Sequence, residues 1–311
     1  MKKSARNRII VWSIVSCLLV AILVFGIMNI QSIGSLAVTP IKLNNVKNLD
    51  DYVSGEAEFD KTKVSSLDVN WAAGKVNVRY SDTDKIVISE DANVENVEDR
   101  MCWYLNDKGT LSIYSEKKSQ VFFGISFGFK DNYSKTLNIE IPENMSFEEL
   151  HISAASADVF ADNAIAEEVN VETASGNIDI GNIKADSVDI SNVSGKVDAH
   201  CNQVGEMSVS TVSGETFIVG NFRELQTESV SGSTEVSVDN GVEKIDSDSI
   251  SGGIKVTLAD DITGFTAKHE SVSGSFNCEF NGMNKDDEFI YGDGTVEISM
   301  ETVSGNMTVK E

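Results

Sequence analysis

At 311 residues, 41% hydrophobic and 24% charged, the chain has the composition of a folded protein with room for one large domain or two small ones. Four of its 25 basic residues and none of its 49 acidic ones precede residue 31, so the remainder carries 21 against 49, about −28. A body so acidic repels phosphate backbones and argues against nucleic-acid binding. Four cysteines without C-x-x-C spacing and three histidines without H-x3-H spacing argue against a zinc site or a redox pair, so no metal or other cofactor is expected.

Residues 1–8 read as a basic cytoplasmic tail and residues 9–30 as a transmembrane helix. Ile9 to Ile30 is an uncharged run of 22 residues, about 33 Å as a helix, enough to cross a hydrocarbon core of about 30 Å. The preceding Lys2, Lys3, Arg6 and Arg8 place the N-terminus in the cytoplasm and the acidic bulk outside the cell membrane. Two processed forms compete with this uncleaved anchor. Ser35-Leu36-Ala37 resembles a signal-peptidase site, and Ile14-Val15-Ser16-Cys17 resembles a lipoprotein box. The apolar run is too long for an ordinary signal and continues past Cys17, which favours the anchor. Residues 31–60 read as a tether.

The region 61–147 is expected to hold one coil, centred on Gly74, followed by an insert of antiparallel strands. Ile86/Ile88, Trp103/Leu105, Leu111/Ile113 and Leu137/Ile139/Ile141 alternate as strands do, and Asn106-Asp107-Lys108-Gly109 supplies a hairpin turn. Within the insert, Phe123, Ile125, Phe127 and Phe129 alternate with Gly124, Ser126 and Gly128, giving a strand with one aromatic face and one bare face. That face can cover the open end of a sheet or form a contact surface for a partner or the membrane. It is the candidate interaction surface. Gly124-Ile125-Ser126-Phe127-Gly128 also matches the G-x-S-x-G pattern of hydrolases, but no strand–turn–helix context surrounds it.

Residues 148–311 carry a repeat. TASGNI, NVSGKV, TVSGET, SVSGST, SISGGI, SVSGSF and TVSGNM centre on Gly176, Gly195, Gly214, Gly232, Gly252, Gly274 and Gly305, mostly about 19 residues apart but 31 at the last interval. Apolar residues recur seven and five positions before each glycine, as in Val188/Ile190, and two, four and often six after it, as in Val197/Ala199/Cys201. Both halves have period two, so both are strands, and the parity slips by one at Ser-Gly, where the chain turns a corner with its apolar face still inward. Leu150–Ala161 fits the template with Ala157 in the glycine slot, and Leu67–Tyr80 fits with Gly74. A coil of this size cannot bury its own apolar face, so the coils must stack about 4.8 Å apart. The fold class expected is therefore all-β, a parallel β-solenoid of about 19-residue coils following one transmembrane helix. Its last coil needs a cap. Cys201 and Cys278 fall on the inward face in coils four steps apart in sequence, about 19 Å, too far for a disulfide. Gly292-Asp293-Gly294 is similar to part of a calcium-binding β-roll repeat but lacks its nonapeptide period.

The Ser-Gly coils, the stretch LNIEIPENMSFEELHIS at Leu137–Ser153 and the basic anchor resemble the bacterial "putative adhesin" β-strand-repeat family of cell-envelope proteins. That resemblance covers residues 50–311 and implies a β-solenoid ectodomain, often linked to envelope-stress or membrane-regulator systems, with no catalytic residues to carry over. The expectation is a membrane-anchored extracytoplasmic protein acting by binding an envelope protein or surface ligand. One alternative is an accessory component of envelope-stress signalling. The other is a carbohydrate-active β-helix enzyme, which the scarcity of basic and aromatic residues between 150 and 260 disfavours.

Overall fold

The corner glycines order the molecule. In the computed structural model, which describes residues 51–93, 96–116, 120–122, 125–127, 135–143, 145–285 and 287–311, each Ser-Gly corner sits directly on another. The amide of Gly176 donates to the carbonyl of Ser194 (3.1 Å), that of Gly195 to Ser213 (3.2 Å), and that of Gly214 to Ser231 (3.1 Å). Gly232 then donates to Ser251 (3.3 Å), Gly252 to Ser304 (3.2 Å), and Gly305 to Ser273 (3.2 Å). The described residues from Tyr52 onward form one all-β unit. The expected transmembrane helix at 9–30 lies outside the described residues.

The strands pair in parallel across this column. Ile178–Ser194, Val197–Ser213 and Thr216–Ser231 each run from one corner to the next and lie in register, with Val188 opposite Met207 and Val197 opposite Thr216. Positions seven, five and three before the glycine are buried, as are two, four and six after it: Val188, Ile190 and Asn192, then Val197, Ala199 and Cys201. The parity slip at Ser-Gly therefore keeps one apolar face inward around the corner, and the buried side chains of all rungs join in a single core. The rung before them is Phe147–Asp162, paired residue for residue with Ser66–Ser81 so that Ala157 lies opposite Gly74.

Three features differ from expectation. First, the region 81–147 is only partly antiparallel. Thr110–Tyr114 and Lys135–Pro142 both pair in parallel with Ser66–Ser81, Leu111 opposite Leu67 and Leu137 opposite Val76. They are the two halves of a further rung whose corner has been opened by residues 115–134. The strands laid beyond this rung are antiparallel: Lys85–Asp91 on Lys135–Pro142, Cys102–Leu105 on Thr110–Tyr114, and Ala57–Asp60 on Lys85–Asp91. These cover the end of the stack. Their reversed direction stops the parallel ladder from accepting further rungs.

Second, the last two rungs change places. Lys244–Ser251 pairs with Val296–Ser304, not with Gly264–Ser273 of the next rung in sequence, which pairs on the far side of Val296–Ser304. The chain passes out to the Gly274 rung, turns back through the hairpin Met283–Lys285 and Glu288–Gly292, and inserts the Gly305 rung between Gly252 and Gly274. The 31-residue interval is the length of that excursion. The C-terminal strand Met307–Lys310 is thus internal, and the Gly274 rung is the outermost. Glu288–Gly292 pairs antiparallel with Gly264–Ser273, and Phe265, Phe276, Phe280, Phe289 and Tyr291 pack ring against ring over that end.

Third, the swap moves Cys278 to five steps from Cys201, about 24 Å, and leaves it half-buried where Cys201 is buried. The glycine column explains the residue choice. A Cβ on Gly195 would stand 2.1 Å from the carbonyl oxygen of Gly176, and one on Gly214 would stand 1.9 Å from that of Gly195. Their φ angles of 139° and 150° also lie where L side chains are strained.

Candidate functional site

The broken rung presents the first candidate. The other corners of the described rungs turn through Ser-Gly, Ala73-Gly74 or Ser156-Ala157, but here the chain leaves after Tyr114 and returns at Lys135, which occupies the glycine slot opposite Gly74. Lys135 fixes the return. Its Nζ lies 3.1 Å from Glu90 Oε1, both side chains less than a tenth exposed, and it donates to the carbonyls of Ser115 (2.7 Å) and Asp99. Glu90 accepts the Met101 amide at 3.1 Å, and the Lys135 carbonyl accepts Trp71 Nε1 at 3.3 Å. A buried charge pair survives only when its remaining hydrogen-bonding capacity is met, and these contacts meet it.

The Phe/Gly segment lies in sequence between the two halves of this rung. Gln120–Phe122 pairs antiparallel with Ile125–Phe127, so Ile125 and Phe127 belong to a hairpin strand, while Phe123 and Phe129 lie outside the described residues. Ser126 sits opposite Val121 within this hairpin, not on a strand-to-helix elbow. The two strands form a sheet of their own, separate from the large sheet that contains the antiparallel strands at the end of the stack.

A second cluster escaped the sequence reading. On the outward face of the first rungs, the Tyr52 ring lies 5.5 Å from Tyr104 and 5.3 Å from Tyr114, the latter edge-on at 85°. Beside them Asp68 Oδ1 accepts Asn70 Nδ2 at 3.0 Å and lies 3.1 Å from His151 Nδ1. The Asp68 hydrogen bond raises the His151 pKa, against an opposing effect of burial. Burial, followed by the charge of Asp68, raises the Tyr114 phenol, and burial raises Tyr52. With their pKa values raised, the Tyr52 and Tyr114 phenols keep their protons at neutral pH and can both donate and accept hydrogen bonds. The signal was present: Asp68 and His151 both stand six positions before their glycine slots, so the repeat places them side by side.

Asp293 has a structural task. Its carboxylate accepts Thr295 Oγ1 (2.9 Å), Thr263 Oγ1 (3.0 Å) and the Thr295 amide (3.2 Å), which lower its pKa and lock the turn between Glu288–Gly292 and Val296–Ser304.

Comparison with known proteins is decided by one match: the pattern of the family described as Toastrack DUF4097 fits residues 64–310. The chain belongs to the Toastrack DUF4097 family. The Toastrack match begins just before the Ser66–Ser81 rung and ends on the inserted C-terminal strand. Among solved structures, the chain is similar to a "putative cell adhesion protein" of Clostridium sporogenes (17% identity, 83% of this chain and 99% of that one, TM-score 0.29). It is also similar to a "putative adhesin" of Bacteroides fragilis (14%, 83% and 96%, TM-score 0.42). A third is a "putative lipid binding protein" of Parabacteroides distasonis (15%, 84% and 97%, TM-score 0.44). No curated protein matches the Toastrack chain.

Proposed function

We propose that this protein is a single-pass membrane protein, uncleaved, with its N-terminus in the cytoplasm and its Toastrack solenoid outside, and that it acts by binding rather than by catalysis. In this reading it is an adhesion or envelope-interaction protein. Its contact surface is the Phe/Gly segment around Phe123, Ile125, Phe127 and Phe129. The uncharged run at 9–30 behind four basic residues supports the anchor.

One observation carries the binding role: the end rung is opened at its corner, and the returning strand is pinned there by the buried Lys135–Glu90 pair. Binding residues are disproportionately carried on segments inserted between fixed points of a rigid scaffold. The ionic body disfavours anionic ligands at long range and leaves the apolar segment as the adhesive element.

The test replaces residues 120–130 with a Gly/Ser linker in the full chain, displayed on cells. Binding to envelope fractions should fall at least tenfold while the unfolding temperature stays within a few degrees. Unchanged binding would remove the segment from the mechanism, and reproducible glycan turnover by the purified protein would replace binding with catalysis. Protease shaving of intact cells that left the solenoid untouched would refute its external location.

A further inference from the structure

Three positions before each corner glycine stands a polar residue pointing inward. In stack order they are Thr173, Asn192, Thr211, Ser229, Ser249 and Thr302, neighbours in register. All six are 3–7% exposed. Thr173 Oγ1, Asn192 Oδ1, Thr211 Oγ1, Ser229 Oγ, Ser249 Oγ and Thr302 Oγ1 each lack a hydrogen-bond partner within the protein. One such oxygen would be an exception to the rule that buried polar groups are paired; six in consecutive rungs form a pattern.

The column has defined ends. Toward the start of the chain the same position is held by Ala154 and then by Trp71, both buried, which plug it with apolar atoms. At the other end it continues from Thr302 to Ser271 on the outermost rung, where Ser271 is exposed. Direct hydroxyl pairing between rungs is possible in this fold: Thr227 and Ser247, two positions earlier in adjacent rungs, meet at 2.7 Å. The column oxygens do not meet in this way.

Rung spacing supplies the reason and the ligand. Equivalent atoms of adjacent rungs stand about 4.8 Å apart. A water making two bonds of about 2.8 Å at an angle of about 118° spans that distance. We infer that the inside of the corner binds a single file of water, one molecule between each pair of column residues, closed by Ala154 and Trp71 and open to solvent at Ser271. Six column residues leave five buried gaps, each offering the two polar partners an internal water needs at minimum. Each bridging water satisfies an acceptor above and below, so the rungs are tied through the corner as well as through their backbones.

The test counts long-lived internal waters by oxygen-17 relaxation dispersion on the full chain in detergent. The wild type should hold about five, and Thr211→Val should lose the two waters on either side of it and unfold at lower temperature. Thr211→Ser, which keeps the oxygen, should hold the wild-type number. A wild type with no long-lived waters would overturn the inference, as would a Thr211→Val protein with an unchanged count. A dry column also predicts the opposite stability sign, since valine would then remove an unsatisfied hydroxyl. If Thr211→Val does not fold, Ser249→Ala serves the same comparison.

Discussion

Replacing Gly214 by alanine tests the stacking at its tightest point. The added Cβ would meet the Gly195 carbonyl oxygen at 1.9 Å and its carbon at 2.9 Å, at a residue whose φ is 150°. An ordinary contact needs more than 1 Å of further separation, and the obstacle is backbone, which cannot rotate aside. The corner gives up its conformation, at about 1–3 kcal/mol, and the rungs part and weaken the Gly195–Ser213 and Gly214–Ser231 bonds, at about 1 kcal/mol each. Together these give about 3–5 kcal/mol, or about 6–20 °C in unfolding temperature for a body of this size. Gly253→Ala is the control, because its nearest obstacle is the Asn306 oxygen at 3.5 Å and its effect should stay within about 0.5 kcal/mol. Thermal unfolding followed by far-ultraviolet circular dichroism reads both. Equal midpoints for the two variants would mean that the corners are not in van der Waals contact along a column.

Removing the Lys135 ammonium with Lys135→Met leaves Glu90 buried and unpaired, and should cost about 3–5 kcal/mol in denaturant unfolding, whereas Lys135→Met with Glu90→Leu should recover most of that loss. The His151 pKa is raised by Asp68, so its contribution to stability is fully present below the unfolded value of 6.5 and disappears as pH rises through the raised folded value. Proton NMR should show the His151 titration moving down in Asp68→Asn, and His151→Gln should flatten that part of the stability profile. The Cys201 thiol is pushed up to about 12 by burial, so iodoacetamide at pH 8 should alkylate half-buried Cys278 first and reach Cys201 only on unfolding.

What the sequence disclosed was phase. Inward and outward positions of a rung follow from period two and the slip at Ser-Gly, so the buried sets around Gly195 and Gly214, and the fit of Leu67–Tyr80 and Leu150–Ala161 to one template, were legible in the sequence. Phase does not say which rung lies next to which. Gly252 can seat Gly274 or Gly305 with nearly the same inward residues, and the choice rests on the hairpin at 283–292 and its aromatic packing, which carry no repeat signal. The rung containing Leu111 and Leu137 was hidden for another reason: residues 115–134 separate its halves and Lys135 replaces its glycine, so neither the spacing nor the Ser-Gly mark remained. The hairpin turn read at 106–109 does bring Tyr104 near Tyr114, but Tyr52 joins them only through the antiparallel pairing of Val53–Ser54 with Cys102–Leu105, within the stretch that read as a tether.

The exchange of the last two rungs has a physical logic that follows from stacking itself. A solenoid built strictly in chain order leaves its last rung with one bare edge, the feature most prone to pairing with another chain. Here Met307–Lys310 is flanked on both sides, by Ile254–Leu258 and by Phe276–Cys278, so opening it requires breaking two ladders. The outermost rung is instead a mid-chain segment whose first half is held by Glu288–Gly292 across Gly264–Lys268 and by the rings around Phe265. Its corner is where protection stops: Val272 is 84% exposed, although the equivalent Val303 on the rung beneath is largely covered. The two ends of the stack thus close by the same means, antiparallel strands laid across parallel ones, applied fully at the first rungs and to only half of the last.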